Sequence, residues 1–339
     1  MAKLKEIAEK ANVSVATVSH VINGTRPVSD ALRKRVLEAM KELGAEVNVS
    51  HPRSESSHLI AMVIDDIFNP FFIEIFAAAE STARTMGYHL LLLPIEKDYD
   101  TFYLQDLGDK KVDGFILATR LGLSYLKEFF SAQIPLVFLG GVLDSPFSRS
   151  ILFPDEEGAY LATRHLVDLG HSRILCVGGP SKSSLFHNRF QGYKRALREK
   201  QIPVDPQLMV EITPTFEEAR QLGLKYLSLE NHISAVFAHN DPAACGIMVA
   251  AQELGRKIPE DLSVVGFDNT FFAQLTCPPL TSVEIPKKLI GKRSVELLVR
   301  LMHNDGVQSY VIEEAKLIER KSTAFFQKNN GGCKDWMNK

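Results

Sequence analysis

No apolar run of 18 residues occurs in the 339-residue chain, so nothing in it is built to cross a membrane as a helix. The opening MAKLKEIAEK carries no apolar segment of the secretory type. The four cysteines, Cys176, Cys245, Cys277 and Cys333, are far apart and form no C-x-x-C pair. That usage excludes a disulfide framework, argues against a zinc site, and fits reduced, packed thiols in a cytoplasm. The motifs of common enzymes are missing as well. There is no G-x-G-x-x-G after a first strand, no G-x-x-x-x-G-K-[ST], no G-x-S-x-G and no H-E-x-x-H. GGPSKSS (178–184) is glycine-rich but lacks phosphate-loop spacing. No catalytic residue, metal or cofactor is expected, and an enzyme is the competing class that this lack disfavours. Charge of one sign is missing too, with a net of −2. That sum hides an asymmetry: residues 1–53 hold nine Lys/Arg against six Asp/Glu, which makes them +3 and the remainder −5. The head therefore suits an anionic partner.

What is present is an ordinary globular composition, 45% hydrophobic and 24% charged, long enough for two or three domains with a sizeable core. Residues 1–44 read as helices only. Leu4, Ile7 and Ala8 mark a short amphipathic helix, Ser14 to Asn23 a second, and Leu32, Val36, Met40 and Leu43 a third that Ser29 can cap and Gly44 can stop. Residues 45–57, AEVNVSHPRSESS, are polar, aperiodic and contain Pro52, so they read as a linker.

From residue 58 short apolar runs alternate with amphipathic helices: LIAMVI, HLLLLPI, VDGFILA, IPLVFLGG, RILCVGG, LMVEIT, ISAVFAHND, LSVVGFD and LTSVEIP. Continuous apolar strands separated by helices imply parallel sheets covered on both faces. The alternation runs twice, over about 59–157 and 173–284, which implies two doubly wound lobes with a cleft between them. The last part reads as one more helix and one or two strands, and the Asn/Gly/Lys-rich 325–339 as a mobile tail.

The second helix poses a specific question. Val18, Val21 and Ile22 lie on one face, and Val18 and Val21 can pack back onto Leu4 and Ile7 across a turn at Asn12. Val15, Ala16, Ser19 and His20 then face outward with no full charge. Methyl groups can meet the thymine methyl, and a hydroxyl or imidazole can pair with base edges in a major groove. Thr17, Asn23, Thr25, Arg26 and the third helix would supply phosphate contacts. The same spacing also fits a plain helical hairpin with a solvated face.

The segment LKEIAEKANVSVATVSHVINGTRPVSDALRKRVLEAMKELG resembles the headpiece of the lactose-repressor (LacI/GalR) family of bacterial regulators. Its signature, close to V-S-x-x-T-V-S-x-V-x-N, is matched by Val13, Ser14, Thr17, Val18, Ser19, Val21 and Asn23, and the likeness extends to the start of the 325–339 tail. Val15-Ala16 and His20 are similar to the purine-repressor type of recognition helix. The resemblance implies an all-α helix–turn–helix headpiece joined to a two-lobed, periplasmic-binding-protein-like effector domain. It also implies a double-stranded, near-palindromic operator bound through Ser14, Val15, Ala16, Thr17, Ser19, His20, Asn23, Thr25 and Arg26, a homodimer, and a small-molecule effector. The domains implied are 1–46 (head), 47–57 (linker or hinge) and 58–324 (effector binding and dimerisation), with lobe 1 about 58–158 and 286–309, and lobe 2 about 159–285 and 310–324. The family's hinge pattern, roughly Y-x-P-N-x-x-A-R-x-L, is not kept: only Asn48 agrees, no leucine stands at the minor-groove wedge position, and the segment is about two residues short. Little DNA bending is expected from it.

In the body, DIFNPFF (66–72) matches the family's N-P-F-F segment, which implies a hydrogen bond from Asn69 to a ligand hydroxyl and stacking on Phe71 or Phe72. NRFQGY puts Arg189 just before a helix, at the cleft arginine of the resemblance. AHNDPAACG supplies Asn240 and Asp241, and VGFDN supplies Asp268, at strand ends where open α/β sheets bind ligands. Asp241 either joins that set or caps the helix that starts at Pro242. Glu284 stands at a crossover where related binders often have Gln. Two departures bear on the ligand. Gly140-Gly141 replaces the acidic–basic pair of many sugar binders, and Ser183 and Leu185 replace the Arg and Thr of purine-repressor-like proteins. The expectation is a cytoplasmic repressor answering to a sugar or sugar derivative. A purine- or nucleoside-responsive regulator and a solute-binding protein without a regulatory role are the alternatives.

Overall fold

The computed structural model describes residues 4–23, 28–43, 57–95, 112–119, 134–142, 145–228 and 233–327. It divides into two compact units, Met1–Ser57 and His58–Lys339. Among the described residues no helix is long and apolar enough to cross a membrane.

The first unit holds α1 (Leu4–Ala11), α2 (Val15–Asn23) and α3 (Asp30–Glu42). Asn12 takes the left-handed conformation that the tight turn between α1 and α2 requires, with φ 48°. The Ser14 hydroxyl then accepts from Thr17 N at 3.0 Å and caps α2. Ile7, Ala8 and Ala11 of α1, Val18 and Val21 of α2, and Val36, Ala39 and Met40 of α3 form one small core. Leu4, expected in that core, is 44% exposed, because Ile7, Ala8 and Ala11 already fill the inner face of so short a helix. Arg35 of α3 donates to Ala11 O (2.6 Å) and Asn12 O (2.8 Å), which satisfies carbonyls at the end of α1 and fixes the turn. Thr25, Arg26, Gly44 and nearly all of the linker lie outside the described residues, as do the side chains of Ile22 and Asn23.

The second unit contains two six-stranded sheets among the described residues. The first is built from β1 (Leu59–Ile64), β2 (His89–Pro94), β3 (Gly114–Ala118), β4 (Leu136–Leu139), β5 (Ser148–Leu152) and β11 (Tyr310–Val311), in the order β11-β5-β4-β3-β1-β2. The second is built from β6 (Ile174–Gly178), β7 (Met209–Glu211), β8 (Ala235–Ala238), β9 (Ser263–Asp268), β10 (Thr281–Glu284) and β12 (Lys316–Ile318), in the order β12-β10-β9-β8-β6-β7. All pairings are parallel except the antiparallel edge β10–β12. Every one of the nine apolar runs holds a strand; the inner strands are apolar because they are covered on both faces, whereas the edge strands β2 and β7 are only partly buried. Strand β5 has no such run. Its Ser148 and Ser150 are buried at an inter-strand position and find partners there, Ser150 N bonding to Ser309 Oγ at 3.0 Å.

Helices α4 (Pro70–Thr85) and α10 (Lys287–Met302) pack on one another, and α10 also covers β3, β4 and β5. On the second sheet α5 (Asp155–Asp168) packs against α6 (Ser184–Glu199), and α7 (Phe216–Ser228) against α8 (Asp241–Glu253), and the short α9 (Phe272–Leu275) follows β9. The chain crosses between sheets three times, at 153–154, 285–286 and 312–315. Residues 155–158 therefore stand with the second lobe and 310–311 with the first, the reverse of the expected assignment. Asp155 is held in the second lobe by Arg189, and Tyr310 and Val311 continue the first sheet beyond β5. The tail also begins later than expected: Phe326 N donates to Leu169 O at 2.8 Å.

Candidate functional site

Two surfaces carry chemistry, one in each unit. In the first, α2 turns Val18 and Val21 inward and leaves Val15 40% exposed. Ser14 and Ala16 are also exposed, and Thr17, Ser19 and His20 are half-buried. The Ser14 and Thr17 hydroxyls bond to each other at 2.8 Å, so both residues have a capping duty besides any contact outside the molecule. The face is apolar and small at its start and polar at its end, a combination suited to base edges and methyl groups.

In the second unit a cavity of about 450 Å³, including its mouth, opens where the carboxyl ends of both sheets meet. The first lobe contributes Asn69, Phe71 and Phe72 from the start of α4, Ala118 and Thr119 after β3, Leu139 of β4, and Phe153 after β5. The second contributes Leu185, Phe186 and Arg189 of α6, His239 and Asn240 after β8, and Asp268 at the end of β9. Six of the seven expected effector residues are thus brought together. Glu284 is not. It ends β10, which β9 separates from the cavity, and its charge acts instead on Lys316, its neighbour on edge strand β12.

The polar side chains divide into those that build the site and those that remain open to a ligand. Asn69 caps α4 through Phe71 N (3.1 Å), which takes up part of its carbonyl oxygen and leaves its amide hydrogens for a ligand. Asn240 is spent twice, accepting from Ala243 N (2.9 Å) as the cap of α8 and donating to Pro214 O (2.8 Å). That makes Asn240, and not Asp241, the cap. Asp241 instead reaches across to β10 and the turn after β9, accepting from Thr270 N (2.6 Å), Thr270 Oγ1 (2.9 Å) and Ser282 Oγ (2.5 Å). Burial, reinforced by the charge of Asp268, pushes the Asp241 carboxyl up to about 7.

Arg189, expected before a helix, lies inside α6 and is 2% exposed. Its Nε donates to Asp155 Oδ1 at 2.8 Å, its Nη1 donates to His239 O, and its guanidinium lies over the Phe267 ring at 3.7 Å. Its Nη2 stands 3.6 Å from Asp268 Oδ1, too far for a hydrogen bond. Oδ1 is buried and has no hydrogen-bond partner among the described residues. Burial raises the Asp268 carboxyl to about 6 despite Arg189 and Lys287, and burial likewise raises Asp155 against the pull of Arg189.

His239 is a cavity residue that the sequence reading passed over, although it directly precedes Asn240 in AHNDPAACG. Its ring is fully buried, parallel to Phe186 at 5.9 Å, with Nε2 on Cys176 Sγ at 3.3 Å. Burial and the Arg189 charge hold its pKa well below the usual 6.5, so it is neutral. A Cβ at Gly178 would run into this ring, so glycine there makes room for it. His239 Nδ1 and Asp268 Oδ1 are two of the four buried side-chain polar atoms without a partner among the described residues, and both belong to cavity residues. Phe71 and Phe153, edge to face at 6.2 Å, and Phe186 supply aromatic walls.

A family profile described as bacterial regulatory proteins, lacI family, matches residues 3–45, and one described as a periplasmic binding protein-like domain matches residues 163–323. The chain is 34% identical over 329 residues to the HTH-type transcriptional repressor PurR of Aliivibrio salmonicida, covering 95% of this chain and 99% of that protein. Its fold is similar to that of the transcriptional regulator CelR–cellobiose complex, with TM-score 0.74 and 27% identity over 95% of this chain and all of that one. It is also similar to the lac repressor dimer bound to operator and the anti-inducer ONPF, with TM-score 0.68 and 28% identity over 95% and 99% of the two chains.

Proposed function

The chain belongs to the lacI family of bacterial regulatory proteins, and from that premise we propose a homodimeric repressor that binds a near-palindromic operator and answers to a sugar or sugar derivative. Membership makes it a DNA-binding transcriptional regulator of a non-enzymatic family. In this reading residues 1–46 bind DNA, 47–57 link, and 58–324 bind the effector and dimerise. Val15, Ala16, Ser19 and His20 read bases, while Ser14, Thr17, Asn23, Thr25 and Arg26 hold the backbone. Effector binding shifts operator affinity through the lobes by about 1–3 kcal/mol, the usual range of allosteric coupling.

One observation carries the effector class. Asp268 Oδ1 is buried beside Arg189 with no donor of its own, in a cavity walled by Phe71, Phe153 and Phe186. A buried carboxylate oxygen in that state needs a donor from the ligand. A sugar supplies several hydroxyl donors on one ring and C–H faces for the phenylalanines. The aromatic walls also favour a second reading, a purine or nucleoside whose flat ring stacks there while an amino group donates to Asp268. Calorimetry on the full chain with D-ribose, cellobiose, hypoxanthine and guanine separates them. Carbohydrate binding is expected. Tight binding of hypoxanthine or guanine, with no carbohydrate bound at millimolar concentration, would overturn the sugar reading.

For the head, His20→Ala is expected to relax base preference at one operator position, a loss of about 1–3 kcal/mol of discrimination. Arg26→Ala should instead weaken all sequences alike and flatten the salt dependence. Selection of preferred sites from random DNA checks both, and an unchanged motif for His20→Ala would remove His20 from the reading set.

A further inference from the structure

The turn that follows β9 is unusual in two ways. Asp268 and Asn269 both have positive φ, 93° and 44°, conformations that strain residues with a side chain. The turn is also gripped from the opposite lobe. Lys287, 6% exposed at the start of α10, donates from Nζ to Asp268 O (2.5 Å) and Asn269 O (2.9 Å). Glu74 of α4 accepts from Phe271 N at 3.1 Å through Oε1, and its Oε2 stands 3.6 Å from Lys287 Nζ. From its own lobe the turn is held by Arg320 on Asn269 Oδ1 (2.7 Å), by Ser282 on Asn269 N (3.1 Å) and by Asp241 on Thr270. A strained backbone persists only when its surroundings over-determine it, and this one carries the Asp268 carboxylate that faces the cavity.

We propose that Glu74 and Lys287 are positioning residues for the effector site: from the first lobe they hold the Asp268–Phe271 turn of the second, and so set where the Asp268 carboxylate stands. This rests on the cavity being the effector site. Three hydrogen bonds between the lobes hold Asp268, Asn269 and Phe271 of lobe 2 to Lys287 and Glu74 of lobe 1, so rotation of the lobes must break them or move the carboxylate. Neither Glu74 nor Lys287 lines the cavity, and both act through Asp268. The charged groups that act on Asp268 are Arg189, Lys287, Asp155 and Glu74, with Asp241 adjoining. Glu74 is one-third exposed, so its substitution leaves no buried hole.

The test uses the full chain without ligand or DNA. Selective ¹³C labelling of aspartate, with the Asp268 signal assigned by its loss in Asp268→Asn, follows the titration of Asp268. Hydrogen exchange of the 268–272 segment follows the grip. Glu74→Gln removes the negative charge and keeps an acceptor for Phe271 N, so Asp268 should titrate at lower pH while exchange changes little. Glu74→Ala removes both, so Asp268 should again titrate lower and the segment should exchange at least ten-fold faster. That pattern across the two variants supports the proposal. Faster exchange with an unmoved titration would make Glu74 merely structural, and an unmoved exchange in Glu74→Ala would mean there is no grip; either overturns it. Because no effector enters the measurement, a failure of the effector reading would appear in the calorimetry and not here.

Discussion

Replacing Arg189 with alanine is expected to cost about 3–5 kcal/mol of stability, read as a lowered denaturation midpoint of the second unit. The loss is large because the guanidinium is enclosed by the groups that depend on it. Asp155 and Asp268 would be left buried without their cation, His239 O would lose a donor, and the Phe267 ring would face a void. Arg189→Ala is therefore a poor probe of effector recognition, since loss of response would follow from loss of fold. Asp268→Asn is the discriminating variant. It keeps the shape, removes the charge, and is expected to weaken effector binding by about 1.5–3 kcal/mol while operator binding by the free protein stays within a few-fold of wild type. A variant Arg189→Ala that unfolds at the wild-type midpoint would show that the buried triad contributes little.

The second large effect is a pH dependence centred on Asp241. Its carboxyl is raised by burial from the ordinary 3.8 to about 7, so the folded protein keeps a proton that the unfolded chain gives up. Stability from this group is fully present below the unfolded value and is lost as pH rises through 7, a change of roughly 4 kcal/mol. Asp241→Asn cannot titrate, and its amide can still accept from Thr270 and donate to Ser282 Oγ. Scanning calorimetry is thus expected to show the variant gaining on wild type as pH rises from about 4 to 7 and levelling off above 7. The buried histidines act in the opposite sense: His239 and His171 have lowered pKa values and cost stability as pH falls below 6.5. Both proteins share that contribution, so the difference between them isolates Asp241. A difference that stays flat with pH would mean the carboxylate is ionised in the fold at neutral pH.

These two expectations concern residues whose type was legible in the sequence, along with the strand-end position of Asp241, and whose duties were not. Asp241 was open between ligand and cap, and it is neither. It ties β10 and the turn after β9 to the start of α8, and Asn240 does the capping. Arg189 was read as a ligand donor, yet its Nε and Nη1 already bond to Asp155 and His239 O inside the lobe, and the residue is 2% exposed. Glu284 stood at the right kind of crossover, but one strand away from the cavity. His239 is a neutral imidazole in the cavity because Gly178, 61 residues earlier, leaves space for it.

The sequence by itself determined the helical head, the outward face of α2, the two doubly wound lobes and the meeting of polar residues at strand ends. Each of these follows from local periodicity and capping, which depend on neighbours a few residues away and report which face of an element is buried. Only the tertiary structure decided which polar atoms inside the cleft are consumed and which are left. Arg189 meets Asp155 across 34 residues, and Glu74 meets Phe271 across 197. Such pairings are set by how strands order in a sheet and where the chain crosses between lobes, and no local pattern encodes them. Desolvation follows the same long-range packing, which is why the raised carboxyls of Asp241 and Asp268 come from the fold and not from their neighbours in the chain.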